Sequence, residues 1–279
     1  MLKTRVITAV VLLALLLPEL FATSPWPFAW VTVLMMAAAG WEWSRLNGLK
    51  GSGALAGGVV LALVCGWTLL LAGLGAPPAW IWWLAGGVWV LGGAAALRAG
   101  PAGWPQIAPG LRMLLGAVLL LGAWLAIVQA KVHGINFLLS VFCLVWAADI
   151  GAYFGGKAFG RRKLAPAISP GKSWEGVWSG LLAVLLLALL WTQVIDLRLG
   201  VDSASLYTLL VQRQGWPVAL LALVFLSAMS VVGDLFESLV KRAVGAKDSS
   251  GLLPGHGGVL DRIDALLPVF PLALALISL

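Results

Sequence analysis

Charge is what this sequence has least of. Only 10% of its 279 residues are Asp, Glu, Lys or Arg, against about 25% in an average soluble domain. Eighteen Lys and Arg and eleven Asp and Glu cannot cover the surface of a water-soluble protein of this length. That shortage excludes the pair of soluble domains that length alone would allow. Cysteine is nearly absent. Cys65 and Cys143 both lie in apolar stretches, which excludes a zinc cage or a disulfide framework and leaves packing roles. Strand-like alternation is missing too, because the apolar runs are long and continuous, and a membrane β-barrel is excluded. No internal repeat is obvious. No small-residue cleavage site is convincing after the first apolar run, Ala22-Thr23-Ser24 being the nearest. The apolar segment after Lys3 and Arg5 is therefore expected to be a retained helix.

What is abundant is apolar sequence, at 61% with a mean hydropathy of +1.01. The expected fold is all-α, a polytopic integral membrane bundle of about nine transmembrane helices. They are placed near 4–20, 25–41, 53–73, 79–97, 111–130, 135–155, 174–195, 216–236 and 264–279. The last is the least secure, being short and holding Pro268 and Pro271. Tryptophan is plentiful, and Trp26, Trp30, Trp41, Trp43, Trp80, Trp82, Trp83, Trp174 and Trp216 lie near proposed helix ends. An interfacial belt is expected of them.

The formal charge is +7, which on such a chain speaks of topology and anionic lipid before nucleic acid. With the N-terminus cytoplasmic, nearly every Lys and Arg falls on that side. Only Lys131, Arg198 and Arg213 fall on the other. Two cytoplasmic segments, 149–176 and 234–264, are unlike connectors, since they are dense in charge of both signs. They divide the chain into N-terminal transmembrane helices (1–110) and a C-terminal catalytic region (111–279).

The second segment places Asp234, Glu237 and Lys241 on one helix face and Asp261 and Asp264 on another. Between them lies a loop rich in Gly and Pro. Gly257-Gly258 would permit close backbone approach before a helix N-terminus that attracts anions. Carboxylates at a membrane edge suit a hard divalent cation, which takes one or two carboxylates plus substrate phosphates. Lys and Arg beside them suit a polyphosphate. Together they read as phosphoryl or nucleotidyl transfer. Asp234 is the better metal candidate; Asp149 could be structural, pairing with a cation such as Lys157. The first segment offers Gly155-Gly156-Lys157 and the turn Ser169-Pro170-Gly171-Lys172-Ser173 as phosphate ligands. It is not a P-loop, because Pro166 stands where the first glycine must be. Arg161, Arg162 and Lys163 read as a topogenic, lipid-binding cluster. Three roles are open to His256: donating to a leaving pyrophosphate, locking the loop, or contacting base or ribose. His133 reads as incidental.

The stretch from Ser238 to Asp264 resembles the signature of the phosphatidate cytidylyltransferases. It runs Ser238-x-apolar-Lys241-Arg242, then Lys247-Asp248-x-small, then apolar-Pro254-x-His256-Gly257-Gly258-apolar-x-Asp261-Arg262-apolar-Asp264. Every specified position matches. The run from Asp149 to Gly176 is also similar to bacterial members; the N-terminal half matches mainly in hydropathy and in Trp41-Glu42-Trp43. The resemblance implies transfer of a cytidylyl group from CTP to phosphatidate in phospholipid biosynthesis, at a site on the cytoplasmic side of a bacterial-type inner membrane. It implies Mg2+, with K+ as a second cation, and a homodimer without a nucleic-acid partner. On that reading Asp234, Asp261 and Asp264 hold the metal. Lys241, Arg242, Lys247, Asp248, His256 and Arg262 form the catalytic set. Lys157, Ser169, Lys172, Ser173, Ser238, Gly257 and Gly258 contact substrate. The alternatives are a CTP-dependent transferase acting on another lipid, and an ion-coupled transporter using Asp149 and Asp234. A transporter would be expected to show repeats and midplane charge, whereas here the charge crowds one face.

Overall fold

A computed structural model describes residues 2–279, with side chains from residue 6 onward. The side chains of Lys3 and Arg5 lie outside the described residues. The chain is a helical bundle: α1 (Leu2–Phe21), α2 (Pro25–Leu46), α3 (Gly51–Ala72), α4 (Trp80–Gln106), α5 (Pro109–His133) and α6 (Ile135–Phe159). A two-stranded hairpin comes next, β1 (Lys163–Ala165) and β2 (Ser169–Ser173). Then come α7 (Trp174–Arg198), α8 (Leu206–Ala243), the single turn α9 (Leu260–Ile263) and α10 (Leu266–Ile277). Among the described residues, the six helices α3 to α8 are long and apolar enough to cross a membrane. The protein is an all-α, multi-pass membrane protein.

Local chemistry sets the boundaries. Ser24 accepts the Trp26 amide ahead of α2, with Pro25 and Pro27 in the first turn. Ser173 caps α7 through the Gly176 amide at 3.2 Å, and Ser205 caps α8 through Thr208 at 3.2 Å. Gly215, at φ 77°, breaks α8 just before Pro217. A span predicted to start near 216 is therefore the second, straight part of a longer helix.

α6 and α7 pack closest of all. A Cβ on Gly180 would strike the Ala148 carbonyl, and one on Gly155 would strike Ser179. Small residues at such a contact let two backbones approach, which is the main source of helix attraction in lipid.

The last apolar run does something other than span. α10 is twelve residues long, or about 18 Å, short of a hydrocarbon core of about 30 Å. Nearly all of it is buried, against α4, α5 and α8. It is a core helix sheathed by the others. Arg213 and Gln214, at the kink of α8, donate to the carbonyls of Ile277 and Leu276 and hold its end.

The tryptophans divide. Trp26, Trp30, Trp80, Trp83, Trp174 and Trp216 are exposed, as a belt requires. Trp43 and Trp82 are buried core residues instead. Trp43, Trp89 and Trp104 surround Phe236, with ring centroids 5.4–6.2 Å away. Trp43 also donates to the Arg112 carbonyl, and Trp104 to Asn47, each at 3.0 Å. This cluster ties α2 and α4 to α8 at Phe236, between Asp234 and Glu237 in the sequence. Cys65 is buried, Cys143 half-buried, and both are free.

At the opposite end, Asp202 accepts the amides of Ile135 (2.6 Å) and Asn136 (2.9 Å), capping α6 from another loop. Partial burial works to raise its carboxyl. Those two amides, with the Ser203 hydroxyl and the residue's own amide, together outweigh burial and hold it below the ordinary range. Lys131 donates to the carbonyls of Leu20 (2.6 Å) and Ala22 (2.9 Å), fastening the end of α1.

Candidate functional site

The two polar segments meet at one end of the bundle. Ser169 and Ser173 begin and end β2, which pairs antiparallel with β1 and turns Lys172 back toward α8. Lys172 forms an ion pair with Asp234, and Arg242 reaches the Ile168 carbonyl at 3.4 Å. A cavity of about 490 Å³ opens between α6, α7, α8 and the hairpin. Asp149, Lys157, Ser169, Lys172 and Asp234 line its polar end, and Ser227 lies among apolar residues at the other. Asp149 faces Lys172 electrostatically, together with the Asp234 carboxylate. Lys157 lines the same cavity.

The signature loop closes around two carboxylates. Asp261 accepts from Lys241 (2.6 Å), from the Ser249 amide and hydroxyl (both 2.9 Å) and from the Gly258 amide (2.7 Å). Burial would raise this carboxyl, but the Lys241 hydrogen bond and the Gly258 amide bring it down to about 2. The second carboxylate is Glu42, from α2, which is fully buried. It accepts from Ser250 (2.5 Å), Ser249 (3.2 Å) and the amides of Val259 (2.9 Å) and Leu260 (2.7 Å).

That geometry explains the paired glycines. Gly257 has φ 82°, and a Cβ there would also stand 2.6 Å from Asp261. A Cβ on Gly258 would collide with Glu42 and Ser249. The close approach and the anions at the start of α9 are both present. The anions are the protein's own carboxylates.

Lys241 is bracketed by Glu237 at 2.5 Å and Asp261 at 2.6 Å. It joins the helix face to the loop. Asp264 sits beside Asp234, and burial, then that neighbouring carboxylate, push it up to about 7. Glu237 adds more negative charge to Asp264, and its partner is the same Lys241 ammonium that Asp261 uses. Carboxylate charge here exceeds what the neighbouring cations neutralise. Such a surplus fits a bound cation. Among the described residues no three His, Cys, Asp or Glu gather into a complete cage. A hard divalent cation here would be held by one or two carboxylates and complete its shell with substrate phosphate and water.

The remaining expected residues fall around this core. Ser238 donates to Asp234 at 3.3 Å. Lys247, Asp248 and Arg262 are exposed on the loop surface. Arg262 donates to the His256 carbonyl at 2.9 Å, bracing the turn, while the His256 Nδ1 is buried with no partner among the described residues. Ser173 is largely taken up as the cap of α7. Arg161 and Arg162 border a separate outward cavity of about 590 Å³ with Trp174 and Trp178. Their amides donate to Glu175 at 3.0 and 3.1 Å.

Two residues that shape the signature loop escaped the sequence reading: Glu42 and Ser249. The only available signal for Glu42 was an acid between two tryptophans at the end of an apolar run. Its partners lie more than two hundred positions away.

Comparison with known proteins places the chain in a family. The chain is similar to the phosphatidate cytidylyltransferase of Pseudomonas aeruginosa, at 41% identity over 99% of this chain and 97% of the relative. It is 52% identical to the enzyme of that name from Haemophilus influenzae over 50% of this chain and 44% of the relative. The Staphylococcus epidermidis enzyme of that name is 38% identical over 52% of this chain and 50% of its own length. Residues 3–279 match the cytidylyltransferase family, and to that family this chain belongs.

Proposed function

We propose that the chain is a CTP-dependent nucleotidyltransferase that converts CTP and phosphatidate to CDP-diacylglycerol and pyrophosphate. The observation that carries the reading is the Lys172–Asp234 pair. It sits at the mouth of a cavity that runs from charged loops to an apolar interior. A lipid phosphate and a nucleotide triphosphate can meet only at such a boundary.

In the proposed reaction a phosphate oxygen of phosphatidate attacks the α-phosphorus of CTP. A new P–O bond forms, the bond to the β-phosphate breaks, and pyrophosphate leaves in line. The attacking phosphate is already anionic near neutral pH, so no strong base is needed. The barrier is largely repulsion between two anions. Lys157 and Lys172, with Ser169, receive the lipid phosphate. Arg242 and Lys247 face the triphosphate, with Asp248, His256 and Arg262 on the same loop surface. Lys241 acts by holding Asp261 and Glu237 in place. Gly257 and Gly258 set the loop's path, and Ser238 orients Asp234. A divalent cation, which we take to be Mg2+, would be held by Asp234 and Asp264 and supplies charge neutralisation. Asp261 would join them by releasing one of its present donors. The family resemblance supports K+ as a second cation and a homodimer. The positive-inside asymmetry supports an inner-membrane enzyme with its site facing the cytoplasm. The catalytic residues fall in 111–279, with Glu42 contributed from 1–110.

The test is pyrophosphate release by purified protein given CTP, Mg2+ and phosphatidate, each omitted in turn. Release that persists without phosphatidate, or fails with all three present, overturns the reading.

A further inference from the structure

The apolar end of the cavity holds one polar group that the reaction does not use. Ser227 lies on α8 and lines the cavity, whose lining also includes the apolar or small residues Ala148, Gly180, Leu181 and Val231. It is only 6% exposed, and its hydroxyl has no hydrogen-bond partner among the described residues. A buried hydroxyl without a partner is costly, and the cost is removed when an acceptor arrives. Its surroundings are apolar, so the acceptor they favour is uncharged.

Position narrows the acceptor further. Ser227 and Asp234 are i and i+7 on one helix, so they share a face and stand about 10 Å apart along its axis. Asp234 marks the phosphate end. A phosphate, its metal ion and a glycerol unit laid end to end cover a distance of that order. Beyond its glycerol, a diacyl lipid carries an ester carbonyl, a neutral acceptor entering apolar surroundings. We infer that Ser227 donates a hydrogen bond to an acyl-ester carbonyl of the lipid substrate, making it a specificity residue for ester-linked over ether-linked glycerolipids. The inference rests on the lipid-phosphate reading of the same cavity. Ser230, one turn along α8, supplies a comparison. It too is buried without a partner, but it does not line the cavity.

The experiment compares diacyl phosphatidate with its dialkyl-ether analogue of equal chain length, in mixed micelles, for wild type, Ser227→Ala and Ser230→Ala. For wild type the lipid KM should be about 2- to 10-fold higher for the ether, the range of one net hydrogen bond. Ser227→Ala should raise the KM for the ester by that factor, leave the ether unchanged and leave the KM for CTP unchanged. The coupling between substitution and linkage isolates the contact from general loosening. Ser230→Ala should keep the wild-type ester-to-ether ratio. Equal wild-type KM values for the two lipids overturn the inference without any variant. So does a Ser227→Ala effect of the same size on both lipids, as expected if the hydroxyl binds only water, or no effect on either. Folded wild type that releases no pyrophosphate with either lipid sinks the functional reading instead.

Discussion

The Glu42 carboxylate accepts the backbone amide of Leu260 at 2.7 Å, across 218 positions of chain. With Val259, Ser249 and Ser250 it makes Glu42 the anchor of the signature loop. Glu42→Ala should lower stability by at least about 3 kcal/mol, because each orphaned buried donor costs about 1–3 kcal/mol. Thermal unfolding in detergent measures this, and pyrophosphate release should fall in parallel. A Glu42→Ala protein that unfolds at the wild-type temperature would remove the anchor role.

Gly258→Ala should act through the same contact, since its new methyl group meets Glu42 and Ser249. Combined with Glu42→Ala, it should add little further loss, because both substitutions break one network. Fully additive destabilisation in the double variant would show that the two sites are independent.

Asp234→Asn should reduce turnover by about two orders of magnitude or more, the usual scale for removing one transition-state stabiliser. The unfolding temperature should change little, because Asp234 is partly exposed and held mainly by Lys172. A chelator should silence wild type, and added Mg2+ should restore it. Wild-type turnover by Asp234→Asn with an unchanged Mg2+ dependence would take Asp234 out of the metal site.

Lys241→Met leaves Glu237 and Asp261 facing each other without their shared cation. Breaking a buried pair in this way costs about 3–5 kcal/mol. Adding Glu237→Gln should recover part of the stability, as read by denaturation, because it removes one of the two stranded charges. If the double variant is less stable than Lys241→Met, the bracketing role is wrong.

The Asp202 cap is the pH-sensitive contact at the far end. Its folded-state carboxyl lies below the ordinary value, so its stabilisation is present above about pH 4. That stabilisation is lost as pH falls through the lowered value. Asp202→Ala should therefore cost about 1 kcal/mol, the usual worth of a cap, near neutral pH. Its difference from wild type should shrink in acid. A difference that stays constant down to about pH 3 would sink the assignment.

Much of this protein was legible in its sequence, for identifiable reasons. Long apolar runs announce membrane helices because the bilayer sets their length. The charge-dense segments stood out because lipid tolerates so few charges elsewhere. Their meeting, through Lys172 and Asp234, was legible as chemistry although not as a distance. The role of Glu42 was hidden because nothing local separates an acid at a helix end from one that anchors a distant loop. α10 was misleading for a related reason. Hydropathy cannot tell a helix wrapped in lipid from one wrapped in other helices. Lys241 was legible as part of the charged set but not as the link between Glu237 and Asp261, which come from one turn back and from beyond the loop. The hairpin at 163–173 read as a turn, since its strands are too short to show a period.

A buried acid whose partners arrive from so far along the chain also bears on biogenesis. Until the loop from Ser249 to Leu260 is in place, Glu42 must stay hydrated, and the end of α2 cannot settle into the bundle. Completing the site and sealing the bundle are thus one event. Substitutions in that loop should then lower the amount of protein that survives membrane proteases as well as the rate of what remains. A loss seen in cells must be divided by abundance before it is credited to chemistry.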